Sequence, residues 1–328
     1  MEVSILPLQR TLDVRSGDNL LETLRHHQIP VSYSCMAGRC GTCRCRIVSG
    51  NVLVTGSPDT NRPATDGQTV LACQATVVED CVIEIPEVDE IVVHPSKIVK
   101  TTVVGIDDLT HDIKRVRLAL SKPFAFSPGQ YASLQFAPQH VRPYSMAVAA
   151  GGDEVEFHIR VVPGGRVTSY VATQLKVGDA VRLSGPLGTA YLRQKTADPI
   201  VCIAGGTGLA PILSILRGMA DRGATHPVHV YFGARSLRDV YGVAWLDELK
   251  ARLPNLTVHV VVTSSSEPGL YRMGVVTEAV KHDWDNLKGW RAYVAGAPAM
   301  VDASTILLRQ KGVAAEHVYA DAFYASGV

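Results

Sequence analysis

The chain has 328 residues, 46% of them apolar and 19% charged, with a formal net charge of +1. That balance excludes a disordered or fibrous chain, and it lacks the basic excess of a bulk nucleic-acid binder. The length suits two or three domains of roughly 100–200 residues, each burying its own core.

Charge divides the chain unevenly. Up to Val93 there are seven arginines, no lysine and twelve acidic residues, a net of −5; beyond it 25 basic and 19 acidic residues give +6. Such a shift marks a domain boundary. Three domains are expected, over 1–93, 97–195 and 196–328.

Residues 1–93 read as a small α+β unit. SILPL and RTLDV predict a hairpin, and Asn19 to His27 a short helix with Leu20, Leu21 and Leu24 on one face. A Gly-rich cysteine segment follows, then strands near Arg44–Val48, Val70–Cys73 and Val82–Ile85. EIPEVDEIVVHPSK has the acidic residues and prolines of a linker. From Ile98 to about Arg193, short alternating strands (KIVKTTVVGI, IKRVRLAL, YASLQFA, EVEFHIRVV, AVRLSG) predict an antiparallel barrel, with one helix over Val167–Gln174. From Pro199 strands alternate with helices, as in a doubly wound parallel sheet.

The uncharged run Pro199 to Leu216 is near the lower limit for a membrane span. It contains Gly205, Gly206, Gly208 and Pro211, and reads instead as a buried strand, turn and helix. MEVSILPLQR lacks a basic start and a sustained apolar core, so the expected compartment is the cytoplasm. Seven cysteines, an odd number, argue against a disulfide framework and for metal or redox chemistry.

Cys35, Cys40 and Cys43, with Cys73 further on, have the spacing of plant-type 2Fe–2S ligation. Four thiolates around two irons carry excess negative charge, which approaching backbone N–H groups offset. Gly38 and Gly41, with the small Ser34, Ala37 and Thr42, permit that approach. A four-cysteine zinc site is the alternative, although zinc ribbons use two Cys-x2-Cys pairs and only Cys40/Cys43 forms one here. Cys45, Cys81 and Cys202 read as packed small hydrophobes.

Four further segments carry chemistry. Arg142-Pro143-Tyr144-Ser145 offers a charge and a stacking ring at a strand end. His158-Ile159-Arg160 precedes Gly164-Gly165-Arg166-Val167-Thr168, glycines that open a helix and leave N–H groups for a phosphate, or form a plain turn. Gly205-Gly206-Thr207-Gly208 lies between a strand and a helix, but Pro211 departs from the usual dinucleotide fingerprint. Arg235-Ser236-Leu237-Arg238-Asp239 follows the next strand. Its arginines suit a 2′-phosphate and Asp239 a free 2′-hydroxyl, or Asp239 simply caps a helix.

In this order the segments resemble the ferredoxin–NADP reductase superfamily. With the cysteine segment, the whole chain resembles the ferredoxin reductase components of ring-hydroxylating systems of the naphthalene dioxygenase and salicylate 5-hydroxylase type. The carrying segments are SYSC-AGRCGTCRCR, RPYSMA, EFHIR-VPGGRVT, LSGPLGTAYLRQK, GGTGLAP, GWRAY-AGAPAMV and YADAFY. The resemblance implies a β-grasp 2Fe–2S ferredoxin domain, an antiparallel β-barrel FAD domain and an α/β doubly wound nucleotide domain. It implies Cys35, Cys40, Cys43 and Cys73 as cluster ligands. Tyr144 stacks on the flavin, Ser145 lies near its N5, and Arg142, Pro143, His158, Ile159, Arg160 and Gly164 to Thr168 surround the FAD. Gly206, Thr207, Gly208, Gly296, Ala297, Pro298 and Met300 meet NADH or NADPH, with Arg235 and Ser236 near the ribose. Phe323 or Tyr324 covers the flavin, Asp321 takes the place of a Glu, and Ala295 that of a Cys. Ser145, Asp321 and Phe323 are thus the catalytic candidates.

The implied activity is ferredoxin–NAD(P)+ reductase. Its expected partners are a Rieske-type 2Fe–2S ferredoxin and, through it, an aromatic-ring hydroxylating oxygenase. A monomer with no nucleic-acid or membrane partner is expected, preferring NADH. A basic patch at Arg39, Arg44 and Arg46 is the expected electron exit. The alternatives are a reductase feeding a hydroxylase directly, one serving a deoxysugar dehydratase, and a non-enzymatic iron–sulfur sensor.

Overall fold

The computed structural model describes residues 1–31, 33, 38, 43–55, 62–85, 92, 94–264 and 269–324. Cys35 and Cys40, with Ser34, Ala37, Arg39, Gly41, Thr42 and most of the expected linker, lie outside the described residues.

The N-terminal domain begins with the hairpin β1 (Glu2–Leu6) and β2 (Arg10–Asp13), then α1 (Leu20–His26). The Asn19 side chain caps α1 by accepting from the Glu22 amide at 3.2 Å, and Leu20, Leu21 and Leu24 are buried. Then come β3 (Arg44–Ser49), β4 (Val52–Val54), β5 (Arg62–Ala64), β6 (Thr69–Leu71), β7 (Ala75–Val77) and β8 (Cys81–Glu84). One sheet has the order β2-β1-β8-β3-β6, with β1 and β8 parallel, and a smaller one has β5-β4-β7. Cys73 is not on a strand as expected. The Ala72 amide still continues the ladder to the Cys43 carbonyl at 2.7 Å, but the chain then makes a 3-10 turn over Ala72–Gln74, closed by the Ala75 amide on the Ala72 carbonyl. The small β4-β5-β7 sheet was not expected, since strands of three residues carry little alternation.

The middle domain holds β9 (Lys97–Asp108), β10 (Ile113–Leu120), β11 (Tyr131–Ala137), β12 (His140–Ser145), β13 (Glu154–Arg160), α2 (Arg166–Thr173) and β14 (Ala180–Leu187). The antiparallel sheet runs β12-β11-β14-β9-β10-β13. A bridge from Met146 to Phe157 joins its two ends and closes the barrel around Val99, Val103, Val116, Leu134, Phe157 and Leu183.

The C-terminal domain comprises β15 (Ile200–Gly205), α3 (Leu209–Asp221), β16 (Val228–Ala234), α4 (Val243–Arg252), β17 (Leu256–Val262), β18 (Arg272–Met273), α5 (Val276–Asp283), β19 (Arg291–Gly296), α6 (Pro298–Gln310) and β20 (Val318–Ala322). Its parallel sheet has the order β18-β17-β16-β15-β19-β20. Both faces are covered, so β15 is apolar throughout: Ile200, Cys202 and Ala204 pack with α3 and α4, Val201 and Ile203 with α5 and α6. No helix among the described residues is long and apolar enough to cross a membrane.

Helix α3 belongs to two domains at once. Ser214 Oγ donates to the Val148 carbonyl at 2.6 Å and accepts from the Gly129 amide at 3.1 Å. Arg217 donates to the Ala147 carbonyl at 2.6 Å. Gly218 meets Pro128, where a side chain would collide.

Candidate functional site

The junction of the barrel and the parallel sheet encloses a cavity of about 660 Å³. Three helices begin at or beside it without a side-chain cap: α2 after Gly165, α3 after Gly208 and α6 after Ala297. Uncapped N-termini present free N–H groups and the positive end of the helix dipole, which suits the phosphates of a dinucleotide.

On the barrel side Arg142, Pro143, Tyr144 and Ser145 at the end of β12 all line the cavity. The Tyr144 ring stands edge-on to Phe136, with centroids 6.3 Å apart. Its hydroxyl is buried without a hydrogen-bond partner, and burial pushes the phenol pKa up. Tyr144 lines the cavity while its hydroxyl is buried from it, so the ring is the part available to a bound cofactor. Ser145 Oγ donates to Asp321 Oδ2 at 2.8 Å across the domain boundary. Asp321, set in the wall with part of its surface on the cavity, has its pKa raised from 3.8 to about 6 by desolvation, against the lowering effect of Ser145. Phe323 and Tyr324 line the same wall. The Phe323 amide donates to the Gly296 carbonyl at 2.9 Å, and Arg142 to the Tyr324 carbonyl at 3.1 Å.

The phosphate segment is only partly at the surface of the cavity. Arg160 and Thr168 line it, whereas Ile159, Gly164, Gly165, Arg166 and Val167 do not. Ile159 and Val167 belong to the barrel core. Gly164 takes φ +73°, which turns the chain into α2.

His158 borders the cavity, with its side chain wholly buried and both ring nitrogens occupied. Nδ1 pairs with the Tyr241 hydroxyl at 3.0 Å and Nε2 with Glu156 at 3.0 Å; the ring stacks on Trp245 at 5.6 Å. Burial raises the Glu156 pKa, but the His158 hydrogen bond and the charges of Arg115 and Arg217 outweigh it and hold the group at about 2. This network joins the barrel to α3 and α4, so His158 is a domain-junction residue.

On the nucleotide side Gly205, Gly206 and Thr207 line the cavity, with Ala297 and Met300 from the start of α6. Gly206 has φ +54°, and the Arg160 guanidinium lies over it. Arg160 is steadied by Asp112 at 3.1 Å. Gly208 and Gly296 stay behind the surface, where a side chain on Gly208 would strike the Ala295 carbonyl. Pro298 and Ser236 are likewise not on the cavity. Arg235 is on it, beside Thr263. Asp239 is buried and turned away: it accepts from the Ser236 amide at 3.1 Å and hydroxyl at 2.6 Å in a capping box. The capping alternative therefore describes Asp239, and the expected NADH preference loses its carboxylate.

Of the four candidate ligands, Cys43 and Cys73 are described, both buried. They are in hydrogen-bond contact, and the Cys73 pKa is lowered to about 6, by Cys43 first and, against a desolvation that raises it, by the Gly38 amide and Gln74. The Asn19 side chain donates to the Cys73 carbonyl at 3.1 Å. Paired thiols whose environment favours the thiolate fit an iron–sulfur or zinc site. Cys45 and Cys81 behave differently, with burial pushing their pKa values to about 12 and about 11; burial also raises that of Cys202. The expected basic patch is weaker than the sequence implies, since Arg46 is paired with Glu84 at 2.6 Å.

Sequence reasoning missed the wall facing the N-terminal domain: Arg25, Tyr33, Tyr131, Gly188 and Thr189. Tyr33, Gly188 and Thr189 fall within SYSC and LSGPLGTAYLRQK, segments that carry the resemblance, whereas Arg25 and Tyr131 stand in none, and no spacing signal brings the five together.

Residues 3–78 match the 2Fe-2S iron-sulfur cluster binding domain, 100–191 the oxidoreductase FAD-binding domain and 202–305 the oxidoreductase NAD-binding domain. The chain is 55% identical, over all of both sequences, to the ferredoxin–NAD(P)+ reductase component of the naphthalene 1,2-dioxygenase/salicylate 5-hydroxylase systems of a Ralstonia species. It is 52% identical, again over the full length of both, to the reductase component of the naphthalene 1,2-dioxygenase system of Pseudomonas putida. The crystal structure of the Amycolatopsis cytochrome P450 reductase GcoB superposes with a TM-score of 0.72 at 32% identity, covering 98% of each chain. The chain belongs to the family of ferredoxin–NAD(P)+ reductase components, oxidoreductases that join a 2Fe–2S domain, an FAD-binding domain and an NAD-binding domain in one polypeptide.

Proposed function

We propose that this reductase passes electrons from NADH, or NADPH, through FAD and a 2Fe–2S cluster to a Rieske-type ferredoxin that feeds an aromatic-ring hydroxylating oxygenase. FAD, when bound, converts a two-electron hydride into single electrons, which an iron–sulfur cluster accepts one at a time. Arg142, Arg160 and the uncapped starts of α2 and α3 are the groups assigned to phosphates. Tyr144 is assigned to the flavin ring and Gly205 to Thr207 to the close approach of the nucleotide. Ser145 and Asp321 form a proton relay at the reacting end: Ser145 Oγ donates to a carboxyl that takes up and releases a proton near pH 6. Cys35, Cys40, Cys43 and Cys73 are the assigned cluster ligands, and domain boundaries near 93–97 and 195–196 follow the charge shift and the change of sheet.

One observation carries this reading: a single cavity is walled by the RPYS strand end, the Gly205–Thr207 turn and the segment Asp321–Tyr324. Flavin-type and nucleotide-type elements thus face the same space. The expected exit is downhill, since plant-type clusters sit near about −400 mV and Rieske centres at about −150 to +300 mV. A monomer in the cytoplasm is part of the reading.

Steady-state assays with purified Rieske-type ferredoxins, and separately with an oxygenase alone, test it. NADH-dependent ferredoxin reduction is expected, with no turnover when the oxygenase is supplied without ferredoxin. Direct reduction of an oxygenase at the same rate would replace this reading with a reductase that needs no ferredoxin.

A further inference from the structure

One wall of the cavity is shared between the N-terminal domain, through Arg25 and Tyr33, and the barrel, through Tyr131 and Gly188. Arg25, in the last turn of α1, holds its guanidinium carbon 4.6 Å over the Tyr33 ring. Tyr33 hydrogen-bonds through its side chain to Tyr131, at the start of β11. The Tyr131 ring lies flat against Gly188: a β-carbon there would stand 2.8 Å from two of its ring carbons. All four residues share the cavity with Tyr144, Ser145 and Asp321. Tyr131 is therefore touched by the N-terminal domain on one side and seated in the barrel on the other.

Two further contacts hold the linker. The Val92 amide donates to the Tyr191 hydroxyl at 3.2 Å, and His94 Nε2 pairs with Ser127 Oγ at 3.0 Å. A linker held at its far end tethers the domain ahead of it without fixing that domain's rotation. A second contact fixes orientation, and Tyr33, with Arg25 over its ring, supplies one at Tyr131. Tyr33 also stands two residues before Cys35 in the sequence. Electron tunnelling falls exponentially with distance, so a domain that rotates about its tether slows the transfer without disturbing hydride chemistry.

We propose that Arg25, Tyr33 and Tyr131 are positioning residues that dock the N-terminal domain against the flavin cavity and thereby set the rate at which electrons pass from flavin to cluster. The rate effect rests on the electron route proposed above; the docking does not. Small polar contacts of this kind hold one arrangement while leaving it reversible, as in other domain interfaces.

The test uses the full-length holoprotein and the variants Arg25→Glu, Arg25→Lys, Tyr33→Phe and Tyr131→Phe. Small-angle X-ray scattering reads the docking, and anaerobic rapid mixing with NADH reads flavin bleaching and cluster bleaching as separate phases. Arg25→Glu is expected to enlarge the scattering envelope and to slow cluster bleaching about tenfold relative to flavin bleaching in the same protein. Tyr33→Phe is expected to slow cluster bleaching about threefold, and Arg25→Lys to restore the wild-type envelope and rate. Should Tyr33→Phe lose its iron–sulfur colour, Tyr131→Phe removes the same hydrogen bond from the barrel side and decides the point. A wild-type envelope in Arg25→Glu overturns the docking; an enlarged envelope with unchanged cluster bleaching overturns the positioning role. If NADH fails to reduce the wild-type cluster, the electron route falls, and scattering still decides the docking.

Discussion

The barrel meets its two neighbours in different ways. Toward the C-terminal domain the junction is buried and interlocked: Glu156 between Arg115, Arg217 and His158, and Ser214 within hydrogen-bond reach of two backbone groups. Arg193 is sandwiched there between the rings of Tyr191 and Tyr319, at 3.8 and 4.3 Å. Toward the N-terminal domain the described contacts include the Tyr33–Tyr131 pair and two hydrogen bonds to the linker. The difference follows from what crosses each boundary. Hydride transfer needs reacting atoms about 3–3.5 Å apart, so the two domains that share a dinucleotide and a flavin are locked. Single electrons tolerate a longer gap, so a lighter hold is expected on the domain that delivers them.

The strongest test of that contrast removes one buried group from the locked junction. Glu156→Ala leaves Arg115 and Arg217 without their shared anion and is expected to cost about 3–5 kcal/mol in denaturant unfolding. Arg25→Glu, at the light junction, is expected to cost less than about 1 kcal/mol. Equal losses at the two positions would erase the distinction.

The next effect is at the reacting end of the cavity. Asp321 binds its proton up to about pH 6 in the folded protein but only to 3.8 when unfolded. Between those values the native state holds more protons, so this group's contribution to stability falls as pH rises through the window. Asp321→Asn is expected to abolish that pH dependence and to slow NADH-to-ferricyanide turnover about a hundredfold. A pH–rate profile of the variant superimposing on wild type would exclude Asp321 from proton movement.

A smaller effect concerns the nucleotide. With Asp239 turned toward Ser236, Arg235 is the charged residue of that loop on the cavity. Arg235→Ala is expected to lower kcat/KM for NADPH about tenfold and to leave that for NADH within about threefold. Equal losses with both nucleotides would place Arg235 away from the 2′ position. The smallest expected effect is the salt dependence of ferredoxin reduction: with Arg46 neutralised by Glu84, the rate should fall only modestly as ionic strength rises.

The three modules were legible because each announces itself locally. A strand end followed by a glycine turn and a helix has fixed offsets, as at Gly205–Thr207, and the alternation of β9 to β14 states a barrel without knowledge of its closure. What the sequence hid depends on residues far apart in the chain. His158 reads as a cofactor-strand histidine, and its Nδ1 pairs with Tyr241, 83 residues later. Cys73 reads as strand, but the Ala75 amide closes a 3-10 turn on the Ala72 carbonyl just past the last ladder bond. Asp239 was readable either way, because a capping box and a ribose carboxylate use the same residue at the same place. The Tyr33–Tyr131 contact leaves no periodic or spacing signal at all.

The central claim is the division of labour: hydride chemistry in the two locked domains, single-electron exit through the cluster. Cys73→Ser in the full-length protein tests it most directly, measured with NADH against both ferricyanide and a Rieske-type ferredoxin. The account predicts that ferricyanide reduction persists within about threefold of wild type while ferredoxin reduction falls at least about a hundredfold. Ferredoxin reduction at the wild-type rate would mean that electrons leave from the flavin itself, and the route through the N-terminal domain would be wrong.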